Sequence, residues 1–238
     1  ASLKYEDLPD DLRSQFDIYP LDIIVLEAKD DDEVREMFIR LQNGTSLKAQ
    51  EKRNAFPGKM REFVHSLTGH QFFSRVGFAN ARLTYDLVAA QLVCLELAGG
   101  PTNVKNADLN RMYDDHRSFD LTGPVAKAVK KKLDTLGACF TEKTPELERH
   151  NVVSLYCVFS ELTTQFVFSQ AAPVLHDWFI GFEAQRREQE KLDEEHAEPE
   201  WVAYKEKISH STDAADSIRA RMDFMLRQFL TQHPDLPR

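Results

Sequence analysis

The stretch F-I-R-L-Q-N-G-T-S-L-K-A-Q-E-K-R-N-A, Phe38 to Ala55, holds the residues of this chain best suited to chemistry. Counted from Leu47, Gln50, Glu51 and Asn54 fall at i+3, i+4 and i+7, so a carboxylate and two amides occupy the face a helix ordinarily keeps apolar. Arg40 and Arg53 flank them, with Asn43 between. Burying such groups without partners costs roughly 2–7 kcal/mol each. They are therefore solvated, satisfied by one another, or arranged around a site. In the last case Arg40, Asn43, Gln50, Glu51, Arg53 and Asn54 would form a pocket wall for a phosphate or nucleotide, the guanidinium forks supplying charge and the amides orientation. The competing reading is a polar lock in which Glu51 and Arg53 tie helix, turn and strand together. Arg40 also fits an exposed ion pair with Glu36, one turn away, which contributes little.

The remaining chemistry-bearing residues are sparse. Lys127, Lys130, Lys131 and Lys132 make the one dense basic cluster, and the first three lie off the apolar stripe of their helix. They form either a solvated face or a phosphate-contacting patch for DNA. Asp114-Asp115-His116-Arg117 reads as a solvated helix end, and Gly99-Gly100-Pro101 as a turn after a helix, without the form of a phosphate cradle. The eight histidines show no H-E-x-x-H spacing, and neither a Ser/His/Asp nor a Cys/His arrangement can be nominated.

The elements that would position these groups follow from periodicity. Tyr5 to Asp17 reads as a short acidic helix, and Y-P-L-D-I-I-V-L-E-A, Tyr19 to Ala28, as the one convincing strand. The aspartates after it cap a helix whose Val34, Met37, Phe38 and Leu41 predict a single buried stripe, stopped by Asn43-Gly44. Thr45 or Ser46 restarts a helix that ends near Phe56-Pro57-Gly58. From Lys59 onward the pattern is helical: Arg82–Ala98, Asp108–Arg117, a helix capped by Thr122 with Pro124 in its first turn, Pro145–Phe168, Pro173 to about Leu192, Trp201–Ile208 and Ala214–Leu230. Glu183 to Glu200 alternates in sign and reads as an exposed helix end and linker. The expected fold class is mainly α within α+β: residues 1–58 form a piece with one strand, and 59–238 an all-helical domain. A lone strand needs partners for its edge. Together with the start at Ala-Ser-Leu-Lys, this predicts a chain cut from a longer protein.

Composition bounds the possibilities. The chain is 42% hydrophobic and 29% charged, which excludes a disordered polymer. No apolar run approaches the roughly 20 residues a membrane span needs, so no membrane partner and a cytoplasmic location are expected. Cys94, Cys139 and Cys157 read as reduced packing residues, without the spacing of a zinc site. A net charge of −9 argues against indiscriminate nucleic-acid binding, since that needs a cationic surface.

The Phe38–Ala55 stretch resembles a signature of GmrSD-type, modification-dependent restriction endonucleases and their anti-phage relatives, close to F-x-R-L-N-x-G-x-x-L-x-x-Q-E-x-R-N-A. The preceding Y-E-D-L-P-D-D-L-R and Y-P-L-D-I-I-V-L match the run into it, and the likeness covers residues 4 to about 65. Gln42 stands where that family usually has Asn, and Lys52 where it has Leu. The resemblance implies the second half of a ParB/sulfiredoxin-like GmrS domain that binds NTP with Mg²⁺ and couples it to cutting of modified or phage DNA. It implies DNA and a nuclease domain or subunit as partners, and leaves a homo-oligomer open. The family's D-G-Q-Q-R string and a Cys/His cluster of the HNH kind are both missing from the sequence, so this polypeptide alone is expected to be inactive, with no cofactor of its own. A helical interaction module or DNA-binding scaffold is the alternative.

Overall fold

A computed structural model describes residues 4–21, 23, 25, 30–41, 47–165, 168–193 and 195–235, with backbone alone at 31, 38–41 and 168–173. The described residues contain eleven α-helices and no strand. The expected strand is therefore a correction, and with it the α+β, ParB-like class. Residues 19–21, 23 and 25 carry no regular structure, and Tyr19, Leu21, Ile23 and Val25 are 71–84% exposed. The reason is physical: β-branched residues favour a strand only where a neighbouring edge accepts their ladder hydrogen bonds. No other described segment offers that edge.

After a 3₁₀ turn at Tyr5–Asp7 come α1 (Asp10–Asp17), α2 (Asp31–Leu41) and the short α3 (Ala49–Arg53). Glu33 N–H donates to the Asp30 carboxylate, as the aspartate cap of α2 predicts. Two residues of the stripe expected to be buried are exposed. Val34 is 45% exposed and Met37 38%, while Phe38 and Leu41 fall outside the described side chains. The helix is fastened instead through Asp32, which takes a two-pronged ion pair from Arg117 (2.8 and 3.2 Å), and through Arg35, whose guanidinium lies 3.5 Å from the Phe56 ring centroid. Arg117 also holds Asp114 at 2.9 Å, and Asp114, Asp115 and Arg117 are exposed at the end of a helix, as the sequence predicts. The Asn43-Gly44 stop and the Thr45/Ser46 start lie outside the described residues; α3 itself begins at Ala49, with Glu51 accepting from Lys48 N–H at 2.7 Å.

The helical body follows as α4 (Lys59–Leu67), α5 (Thr84–Ala98), α6 (Asn106–Asp115), α7 (Pro124–Cys139), α8 (Arg149–Gln165), α9 (Phe168–Glu190), α10 (Pro199–Ser209) and α11 (Ala215–Gln232). α5 is apolar on most of its circumference and sits in the middle, packed on α3, α4, α6, α7 and α8. A helix with partners on every side needs no polar face. α7 keeps the opening and the stripe its pattern predicts, with Pro124 at its start and Val129, Leu133 and Leu136 buried, but its N-cap is Gly123 and the expected Thr122 cap is not made. Trp178, Phe182, Trp201, Tyr204 and Phe224 join α9, α10 and α11 through ring contacts, with centroid separations of 5.3 Å for Trp178–Phe182 and 4.9 Å for Phe182–Trp201. The charged tail of α9 is mostly exposed, as expected of a helix end leading into a linker, with one exception. Glu183 and Arg186 are buried and paired at 2.9 Å, and Arg186 reaches the exposed Glu190 at 2.6 Å.

Candidate functional site

α3 separates the residues of the signature. Gln50 and Arg53, one turn apart, face inward, and Arg53 is 0% exposed. Its Nε donates to Gln50 Oε1 at 3.0 Å, and one terminal nitrogen donates to Asn106 Oδ1 and Asn110 Oδ1 of α6, each at 3.2 Å. The other terminal nitrogen has no hydrogen-bond partner. Burial lowers the Arg53 pKa from its ordinary value, yet a guanidinium stays cationic. Gln50 stands beside the Tyr113 hydroxyl, which burial pushes up to about 12. The result is a buried cation held by three neutral amides, with no carboxylate at ion-pair distance among the described residues.

Glu51 points the other way. Arg82, just ahead of α5, donates to its two carboxylate oxygens at 2.9 and 2.6 Å. That bond, reinforced by the Lys48 N–H, holds the Glu51 carboxyl below the usual range. Asn54 is exposed, and the side chains of Arg40 and Asn43 lie outside the described residues. The structure thus joins Gln50 to Arg53 and sends Glu51 to a different partner. Both ions reach out of α3 into the helical body, one to α6 and one to the approach to α5.

Lys127, Lys130 and Lys131 are exposed along α7, with the Lys130 ammonium 5.6 Å from the Phe63 ring centroid. Lys132 turns inward instead. Its Nζ donates to Glu96 Oε2 at 2.6 Å, the same oxygen that accepts from the Tyr156 hydroxyl at 2.6 Å. These three line a cavity of about 620 Å³ between α5, α7, α8 and α11, which includes none of the signature residues. Burial and the Glu96 carboxylate raise the Tyr156 pKa, so its proton stays on the phenol. Burial pushes Cys157, at the same wall, up to about 12, and the thiol is inert as a nucleophile. No group of three or more His, Cys, Asp or Glu able to hold a metal occurs among the described residues.

Another fully buried guanidinium escaped the sequence pattern. Arg221 of α11 is 0% exposed; its Nε donates to Ser154 Oγ at 2.9 Å, and one terminal nitrogen to the carbonyls of Lys207 (2.7 Å) and Thr212 (3.0 Å). The signal was present. Arg221 falls at i+3 of Ile218 and four before Met225, on the apolar stripe, the same anomaly that marks Gln50 beside Leu47. Glu96, a carboxylate near the end of the apolar α5, is a comparable mark.

Compared with protein-family models, with curated proteins and with solved structures, the chain finds no match in any of the three. No helix among the described residues is long and apolar enough to cross a membrane.

Proposed function

We propose that the chain is the sensing and relay portion of a modification-dependent DNA restriction or anti-phage system gated by nucleoside triphosphate. The reading rests on the signature residues Arg40, Gln50, Glu51, Arg53 and Asn54 standing in register with the GmrSD-type pattern. One structural observation supports it above the others. Two of the three ionic residues of α3 are anchored in the helical body, Arg53 on α6 and Glu51 on Arg82. An event at the signature therefore displaces the body as well, which is what a relay requires. In this reading Gln50, Glu51 and Arg53 position the segment, Arg40, Asn43 and Asn54 meet the phosphates with Mg²⁺, and the exposed lysines of α7 contact DNA. Cutting belongs to the complete protein.

The sealing of Arg53 favours a second reading, a helical interaction module in which the signature is a lock. Binding of NTP by the complete protein, followed with Arg40→Ala and Arg53→Met, separates the two. The sensor reading expects Arg40→Ala to abolish NTP binding at an unchanged Tm. Full binding by Arg40→Ala, with a lowered Tm for Arg53→Met alone, decides for the module.

A further inference from the structure

The cavity of about 620 Å³ between α5, α7, α8 and α11 presents mainly hydrogen-bond acceptors to a ligand. At its wall Glu96 Oε2 is filled by Lys132 and Tyr156, both at 2.6 Å, whereas Oε1 takes no hydrogen bond from a described residue and is not sealed. The Glu96 side chain keeps 14% of its surface exposed, so that oxygen is within a ligand's reach. The neighbouring hydroxyls are committed in one direction. Ser160 donates to the Tyr156 carbonyl at 2.8 Å, and Thr163 and Thr164 each donate to the Ser160 carbonyl at 2.9 Å. A hydroxyl carries a single proton, so as arranged these three oxygens can only accept from a ligand. Glu161 of α8 and the exposed Asp223 of α11 add carboxylates at the same wall. α5 ends there at Ala98, and the negative end of its dipole favours a cation.

Two cations also stand at the cavity. Lys132 is answered by Glu96 at 2.6 Å, and the exposed Arg219 reaches the Pro101 carbonyl at 3.5 Å across the rim. Three carboxylates against these two leave the wall negative. The carboxylates do not converge on one point, since no group of three able to hold a metal occurs among the described residues. A compact ion therefore cannot use them together, whereas positive charges spaced along a chain can. We infer that this cavity binds an aliphatic diamine or polyamine. One ammonium donates to Glu96 Oε1 and the wall hydroxyls, and another meets Asp223 or Glu161. The methylenes between them lie on Ala98, Pro101 and Leu226, apolar side chains that keep surface at the wall. An ammonium offers three donors and no acceptor, which is the complement of this lining.

Calorimetric titration of the whole chain with putrescine, at physiological salt and neutral pH, tests it. Putrescine is expected to bind with a Kd of about 1 mM or tighter, and butylamine, which keeps the stem and loses one ammonium, about tenfold more weakly. Asp223→Asn, which alters only an exposed side chain, should weaken putrescine by about fivefold at an unchanged Tm. Glu96→Gln should weaken it further. Spermidine binding more tightly than putrescine points to a polyamine as the natural ligand; equal or weaker binding points to a diamine. Failure of the wild type to bind putrescine overturns the assignment. So does butylamine binding as tightly as putrescine, binding that both variants leave unaltered, or complete displacement of putrescine by an equal concentration of Mg²⁺.

Discussion

Arg53 and Arg221 are both sealed from solvent, and neither has a carboxylate at ion-pair distance among the described residues, whereas the buried Arg186 is held between Glu183 and Glu190. Neutral acceptors must then do most of the stabilising, so each hydrogen bond counts. Arg53→Met would keep the volume and leave the oxygens of Gln50, Asn106 and Asn110 without their donor. A loss of about 2–4 kcal/mol is expected by chemical denaturation; an unchanged midpoint would mean the cradle contributes nothing. His150 supplies a pH dependence. Burial, followed by the positive charges of Arg221, Arg186 and Arg149, lowers its pKa to about 3 from the ordinary imidazole value of 6.5. Between those two values the unfolded chain binds the proton and the folded chain does not. Stability contributed above 6.5 is therefore lost progressively as pH falls toward 3, at up to about 1.4 kcal/mol per pH unit. Glu183 works in the opposite sense: burial raises its pKa, so its contribution declines as pH rises through that value. His150→Gln should flatten the acid limb relative to wild type; identical limbs would show that the imidazole is not kept neutral.

At the level of elements, burial and secondary structure part company in the N-terminal segment. Ile23, 83% exposed and outside any regular element, should accept lysine with a change within about 0.5 kcal/mol, while Leu92→Ala in the middle of α5 should cost about 2–5 kcal/mol. Calorimetry of the two variants checks this, and strong destabilisation by Ile23→Lys would place that side chain in a core. The contrast explains which elements the sequence disclosed. α7 was legible because Val129, Leu133 and Leu136 repeat at helical spacing and Pro124 marks the start, and both signals are local. α5 was legible from its apolar run ended by Gly99, whose φ of 71° is the left-handed stop. The Tyr19–Ala28 strand misled because strand propensity says nothing about whether a partner edge exists. α2 misled because Val34 and Met37 of its stripe are exposed, and a distant pair, Asp32 with Arg117, ties it to the body. The site divided in the same way. Spacing set Gln50, Glu51 and Asn54 on one face, yet Gln50 turns to Arg53 and Glu51 to Arg82, a choice made by contacts 31 and 57 residues away in sequence.

Across the whole molecule, the three thiols share one condition. Burial raises Cys94 and Cys139 to about 11 and Cys157 to about 12, so near pH 8 only about one thiol in a thousand is ionised. A disulfide reagent should label the native protein very slowly and reach all three at once in denaturant; rapid native labelling would show an accessible thiolate. The aromatic cluster has another consequence. Both tryptophans, Trp178 and Trp201, lie against Phe182, in the junction of α9 with α10 and α11. Tryptophan emission consequently watches that corner alone, and the signature helix α3 carries no tryptophan. A nucleotide or DNA event at α3 becomes visible as a colour shift only when it has travelled through the body to the far chromophores, so the unaltered protein already carries a detector for transmission as distinct from binding.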